Sequence, residues 1–198
     1  MYRIHYIRRM AWIAAVLVLS GCGRSQTATQ FYAKNIDGVM PNLEFTLTDQ
    51  DGRTATAEDF KGKITLLYFG FTNCPYACPT TLAHLAQVLK RLGTTADSVR
   101  VIFVSVDPTR DSSAVLKRYT ASFAPQIVGM TGSDAQLTAV TKRYRVAYRR
   151  DEPDANGNYN VYHSSAVFVF DGSGRARLLT TSDEPEEQLA HDLSALTS

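Results

Sequence analysis

Two cysteines stand where a strand-like segment of this sequence gives way to a helix-like one. Ile64 to Phe71 is almost continuously apolar, which is typical of a central strand covered on both faces. Pro79 to Leu92 places leucines on one face and a proline in its first turn, as a helix does. Cys74 and Cys78 lie between the two segments. The pattern predicts an α/β fold with its thiols at the carboxyl end of a central strand.

The rest of the chain alternates strand-like and helix-like segments around that junction. Strands are predicted at Asn42–Thr48, Val99–Val106, Ile127–Met130, Ala166–Phe170 and Arg175–Leu179, and helices at Ser113–Phe123, Asp134–Tyr144 and Asp183–Leu196. Such alternation favours parallel strands with helices on both faces, and the closing hairpin adds an antiparallel edge. We therefore predict a thioredoxin-like α/β fold. Its central mixed sheet is flanked by helices, with an N-terminal strand extension and a C-terminal hairpin plus helix.

The N-terminus has the features of an export signal. Basic residues without any acid precede the apolar run Met10 to Leu19, which is too short to span a bilayer but suits a signal peptide. Small residues before Cys22 resemble a bacterial lipobox, in which that cysteine carries the lipid; a plain secretory signal is the alternative. We predict a lipoprotein signal peptide at 1–21, a lipidated N-terminus and flexible tether at 22–38, and the folded domain at 39–198.

Charge gives no reason to propose nucleic acid as a partner. The chain has 21 basic and 19 acidic side chains, and removal of the predicted signal peptide leaves 18 against 19. No basic stripe remains that would follow a phosphate backbone. Lipidation of Cys22 would leave only two free thiols. In an exported, periplasmic protein such a pair tends to oxidise unless a partner or a metal protects it.

The spacing of Cys74 and Cys78 is compatible with three roles. Residues four apart in a helical turn share a face, with Cα atoms about 6 Å apart, which is within disulfide range. A helix N-terminus also favours thiolate. Metal binding, a reversible disulfide and a static structural disulfide are therefore all open. The short loop that such a bond would close gives little entropic stabilisation, which argues against the purely structural role.

His163 is the next candidate ligand. It follows the polar loop Asp151 to Asn158 and precedes a predicted strand, and the alternative is an ordinary surface or core histidine. Two thiolates and one imidazole suit Cu(I), whereas structural zinc wants a fourth protein ligand. Asp107 ends the second central strand on the same sheet edge. Turn formation before a proline explains it as well as a functional role does.

Three runs of this sequence resemble the signature of the Sco/SenC proteins. They are Phe69–Leu82, Val104–Asp111 and His163–Ala166, within a similarity that extends from about Leu43 to Leu196. The resemblance implies a thioredoxin-like fold and a membrane-tethered copper protein. It also implies that Cys74, Cys78 and His163 match the family's copper ligands.

The resemblance further implies a role in assembling the dinuclear copper centre of cytochrome c oxidase. We therefore expect a membrane-tethered periplasmic copper metallochaperone. Its partner would be the copper-centre subunit of the oxidase or another periplasmic copper protein. The alternative is a thiol–disulfide oxidoreductase with Cys74 and Cys78 as its redox-active pair, because some family members act as reductants or in redox defence. Tyr76 and Tyr162 replace the family's usual acids; with Asp107, we interpret them as residues beside the site or in contact with a partner.

Overall fold

A mixed eight-stranded sheet forms the centre of the molecule. The computed structural model describes residues 30–154 and 159–197, so the predicted signal peptide and Cys22 lie outside the described residues. The strands are β1 Lys34–Asn35, β2 Thr46–Asp49, β3 Thr54–Thr56, β4 Ile64–Gly70, β5 Val99–Ser105, β6 Ile127–Thr131, β7 Tyr148–Arg150, β8 Val161–His163, β9 Val167–Phe170 and β10 Ala176–Thr180. The helices are α1 Ala77–Leu92, α2 Ser113–Ala121, α3 Asp134–Arg143 and α4 Glu186–Ala195, with 3₁₀ turns at Ala57–Phe60 and Gly93–Ser98.

Strand β4 lies in the middle of the sheet, as its apolar sequence predicts. The strand order is β1-β10-β9-β4-β5-β6-β2-β3. β4, β5 and β6 run parallel, while β9 pairs antiparallel with the other side of β4. Every residue of β4 is buried. The predicted thioredoxin-like α/β arrangement is confirmed, although the closing hairpin is not the edge of the sheet, because β1 covers β10.

The sequence did not reveal the second, two-stranded sheet formed by β7 and β8. These three-residue strands bracket the predicted polar loop. They are too short for an alternating pattern to stand out, and β7 carries two arginines. A second difference concerns α4, which begins at Glu186 after Pro185, without a side-chain cap. The predicted helix Asp183–Leu196 therefore starts three residues too early, since Pro185 occupies the position before the observed helix.

The folded region begins earlier than the predicted boundary at residue 39. Strand β1 pairs with β10, and the backbone N–H groups of Tyr32 and Ala33 donate to the Asp192 carboxylate at 2.9 and 2.8 Å. Asp192 is fully buried on α4, and the two N–H groups stabilise its carboxylate by hydrogen bonding. The predicted tether, 22–38, is thus too long at its C-terminal end. Among the residues that the structure describes, no helix has both the length and the apolar character needed to cross a membrane.

Candidate metal centre

The two cysteines lie in the loop after β4 and in the first turn of α1. That helix begins at Ala77, two residues before the predicted start, so Cys78 is part of it. Tyr76, at the N-cap, makes no capping hydrogen bond with its side chain. The Sγ of Cys74 instead accepts the N–H of Cys78 at 3.4 Å, which satisfies one of the free N–H groups of the helix end. Cys78 is fully buried, whereas Cys74 is partly exposed.

Gly70, the last residue of β4, allows Cys78 to sit against the strand. A Cβ at this position would lie 2.6 Å from the Cys78 Sγ and 2.7 Å from the Phe103 ring. Neither group can move away easily, since Cys78 and Phe103 are both fully buried. The absence of a side chain at Gly70 therefore sets the position of the buried thiol.

Replacing Gly70 by alanine should displace the Cys78 thiol and destabilise the fold by about 1–3 kcal/mol, as overpacking of a core does. Urea unfolding measures the stability, and the reaction rate of each cysteine with an alkylating agent reports the displacement. Gly172→Ala is a matched control, because its nearest neighbour would be an ordinary 3.4 Å away. Equal behaviour of the two variants would contradict this account of Gly70.

His163 brings an imidazole to the buried thiol. Its Nε2 lies 3.2 Å from the Cys78 Sγ, and its Nδ1 lies 2.9 Å from the carbonyl oxygen of Ser164. A carbonyl can only accept, so Nδ1 carries the proton and Nε2 keeps its lone pair toward the sulfur. Burial lowers the pKa of His163, which favours the neutral, ligating form. The rings of Tyr68 and Phe71 pack edge-on against it.

Cys74, Cys78 and His163 together form a possible copper site. Their potential ligand atoms all lie within 4.8 Å of one another, and no other such group of three or more occurs in the described parts of the chain. Two sulfurs and one nitrogen are a soft donor set. Burial raises the pKa of the Cys78 thiol to about 12, so the expected stabilisation of thiolate by the helix end does not prevail there. A metal-bound cysteine is deprotonated, so binding must release this proton.

The two aspartates after β5 anchor loops around the site. Asp111 is fully buried and accepts from the Thr72 N–H at 2.8 Å, the Thr72 hydroxyl at 2.6 Å and the Ser105 hydroxyl at 2.5 Å. It thereby ties the cysteine loop to β5. Asp107, also fully buried, accepts from Arg110 and Tyr159. The Asp107 carboxylate therefore holds the side chains of Arg110 and Tyr159 together.

Tyr76 and Tyr162 project into solvent beside the cluster. Tyr76 is 76% exposed and Tyr162 is 52% exposed, and both are next to or near ligand candidates in the sequence. The guanidinium of Arg149 lies 4.8 Å from the centre of the Tyr162 ring. Two exposed aromatic rings therefore lie beside the site, at the positions where the resemblance to Sco/SenC proteins led us to expect carboxylates. That they touch a partner stays a prediction.

This fold and this cluster define a class: thioredoxin-like proteins that present two thiols and an imidazole at the end of a central strand. The family model described as SCO1/SenC matches residues 36–198, and the chain belongs to this family. A SCO2-like protein of Rickettsia felis is 36% identical over 140 residues, which are 70% of this chain and 68% of that protein.

Solved structures agree with this assignment. Copper-bound ScoI of Bradyrhizobium japonicum matches with a TM-score of 0.72 and 38% identity, covering 78% of this chain and 98% of that one. A SCO1/SenC family lipoprotein of Bacillus anthracis matches with a TM-score of 0.71 and 26% identity, covering 85% of this chain and 100% of that one. The thioredoxin-like fold expected from the sequence and the resemblance to Sco/SenC proteins are both confirmed.

Proposed function

We propose that the protein is a copper metallochaperone that carries Cu(I) on Cys74, Cys78 and His163. The observation that carries this proposal is the convergence of the three ligand atoms, from two separate parts of the chain, within 4.8 Å. Copper bound to the Bradyrhizobium relative supports the same cargo here. By its family, the acceptor is the dinuclear copper centre of cytochrome c oxidase or another periplasmic copper protein.

Three protein ligands suit transfer better than storage. A Cu(I) ion held by three donors can accept a further ligand from an acceptor, so each ligand can be exchanged in turn. Cys74 is partly exposed whereas Cys78 is fully buried, so an incoming thiolate meets the Cys74 side of the site first. Two thiolates around Cu(I) carry a net charge of about −1, which the imidazole does not change. We propose that Cys74 is exchanged first and Cys78 last.

A thiol–disulfide function is the second candidate. The two thiols are free, and their sulfurs belong to a cluster only 4.8 Å across, so a disulfide needs a small rearrangement. Copper transfer uses all three side chains, whereas disulfide exchange uses only the two sulfurs. His163 therefore distinguishes the two functions.

The test is His163→Ala in the reduced soluble domain. We expect the affinity for Cu(I), measured by competition with a coloured chelator, to fall at least about a hundredfold, because even groups that only orient a ligand contribute ten- to a hundredfold. Reduction of a model disulfide by the cysteine pair should stay close to the wild-type rate. His191→Ala is the control, since His191 is exposed on α4 and contacts Asp192. Unchanged copper affinity in the His163 variant would argue for the thiol function instead.

We also propose that Cys22 is lipidated and holds the domain at a periplasmic membrane face. The lipobox-like sequence and the lipoprotein relative from Bacillus anthracis support this. A diacylated cysteine gives stable attachment where a single chain would not. In cells, Cys22→Ala should move the protein from the membrane fraction to the soluble one, with Cys74→Ala as the control that stays at the membrane. Membrane retention of the Cys22 variant would favour an uncleaved N-terminal anchor over the lipid.

A further inference from the structure

The strand that carries His163 lies outside the main sheet. Within residues 30–154 and 159–197, β8 pairs only with β7, in a separate two-stranded sheet. A two-stranded ribbon is at best marginally stable by itself. On its C-terminal side, His163 is held by the short connection to β9. On its N-terminal side, contacts that involve side chains add to the pairing with β7.

Such contacts come from a cluster of Asp107, Arg110 and Tyr159, which we call the Arg110 cluster. The Arg110 Nε donates to Asp107 at 2.5 Å, and its Cζ lies 3.8 Å from the centre of the Tyr159 ring. The Tyr159 hydroxyl donates to the other oxygen of Asp107 at 2.5 Å. Arg110 Nη1 also donates to the Tyr159 carbonyl at 3.3 Å. Three of these contacts attach Tyr159, four residues before His163, to the loop after β5, and the fourth joins Arg110 to Asp107.

The Arg110 cluster also reaches the imidazole through one aromatic ring. The Arg110 Cζ lies 5.8 Å from the centre of the Phe71 ring. The His163 ring packs edge-on against the same phenylalanine, with centroids 5.8 Å apart. Asp107 is fully buried and Arg110 is 25% exposed, so these contacts are shielded from water, which strengthens them. Arg110 therefore contacts both Tyr159, just before β8, and Phe71, which packs against the ring of His163.

We propose that Arg110 and Tyr159 are positioning residues for His163. They hold the start of β8 and the face of Phe71 so that Nε2 of His163 points at the Cys78 sulfur. Neither is placed to bind the ion. Their effect on copper rests on the proposed function, because it acts only through His163 as a ligand.

A double-mutant cycle tests the effect on copper. Tyr159→Ala removes the stacked ring and the bond to Asp107, and we expect it to weaken Cu(I) binding about tenfold, the usual scale for groups that orient a ligand. In the His163→Ala background the same change should have no effect. Tyr32→Ala is the matched control, because this exposed tyrosine packs on His191 of α4 and not on His163. An equal loss in both backgrounds, or no loss in either, would overturn the proposal.

A measurement without copper separates this proposal from the proposed function. In the apo domain, Tyr159→Ala should shift and broaden the imidazole NMR signals of His163 and leave those of His191 in place. Tyr32→Ala should do the reverse. Tyr159→Phe keeps the stacked ring and should give a smaller shift, which covers the case in which the alanine variant folds poorly. Unmoved His163 signals would refute the positioning role; moved signals with unchanged copper affinity in His163→Ala would instead refute the copper role of His163.

Discussion

Replacing Cys78 by serine should abolish tight binding of Cu(I). Cu(I) prefers a soft donor such as a thiolate. The serine hydroxyl is a hard donor and does not ionise near neutral pH, so it cannot replace the thiolate. Serine is no larger than cysteine, so it fits the space against Gly70 and Phe103 without new strain. After passage over a column in the presence of a chelator, the wild-type domain should keep about one copper ion and the Cys78→Ser variant should keep none.

The fold should survive that change, which makes the loss specific. Thr81→Ser, another buried substitution on α1, is the control and should keep its copper. Cys74→Ser should lose copper as Cys78→Ser does, because both sulfurs belong to the cluster. Retention of wild-type copper content by either cysteine variant would show that the cargo is held elsewhere.

Replacing Asp111 by alanine should strongly lower the free energy of unfolding. The change leaves the N–H and hydroxyl of Thr72 and the hydroxyl of Ser105 without their acceptor. Each buried donor left unpaired costs about 1–3 kcal/mol, and the two donors on Thr72 are only partly buried, so we expect a loss of about 3–5 kcal/mol in the free energy of unfolding. For a domain of this size, that lowers the melting temperature by roughly 10 °C.

Differential scanning calorimetry of the apo domain measures this shift. Asp51→Ala is the control, because Asp51 is an exposed partner of Lys117 and its removal should leave the melting temperature nearly unchanged. The Asp111 variant should also expose the cysteine loop, so alkylation of Cys74 should become faster. A melting temperature equal to that of the Asp51 variant would mean that the loop does not depend on this carboxylate.

Periodicity and turn chemistry predicted most of the main sheet. The almost continuously apolar run of β4 is typical of a strand covered on both faces, and its end marks the sheet edge where the thiols lie. His163 precedes β9, the strand predicted after it, but it lies at the end of the short strand β8, which the sequence did not reveal. What brings it to Cys78 is the antiparallel pairing of β9 with β4, and no sequence spacing encodes which strand a hairpin joins.

Contacts between distant side chains could not be predicted in this way. Tyr159 and Arg110 are 49 residues apart, and their stacking leaves no periodic signal in either segment. Asp107 suggested a turn, but its bond to Tyr159 and that of Asp111 to Thr72 depend on how the loops fold over the sheet. The pKa of Cys78 followed the depth of burial, which outweighs the helix end that the sequence made visible.

The clamp that Asp192 forms on the N–H groups of Tyr32 and Ala33 limits how far the folded domain could lie from the proposed lipid on Cys22. It holds Tyr32, only ten residues after Cys22, against the last helix. Ten extended residues reach at most about 35 Å. With the proposed lipid on Cys22, the domain would search for acceptors in a thin layer over the bilayer surface. Confinement of that kind raises the local concentration of any membrane-bound acceptor, so a modest affinity between the two proteins would be enough for delivery.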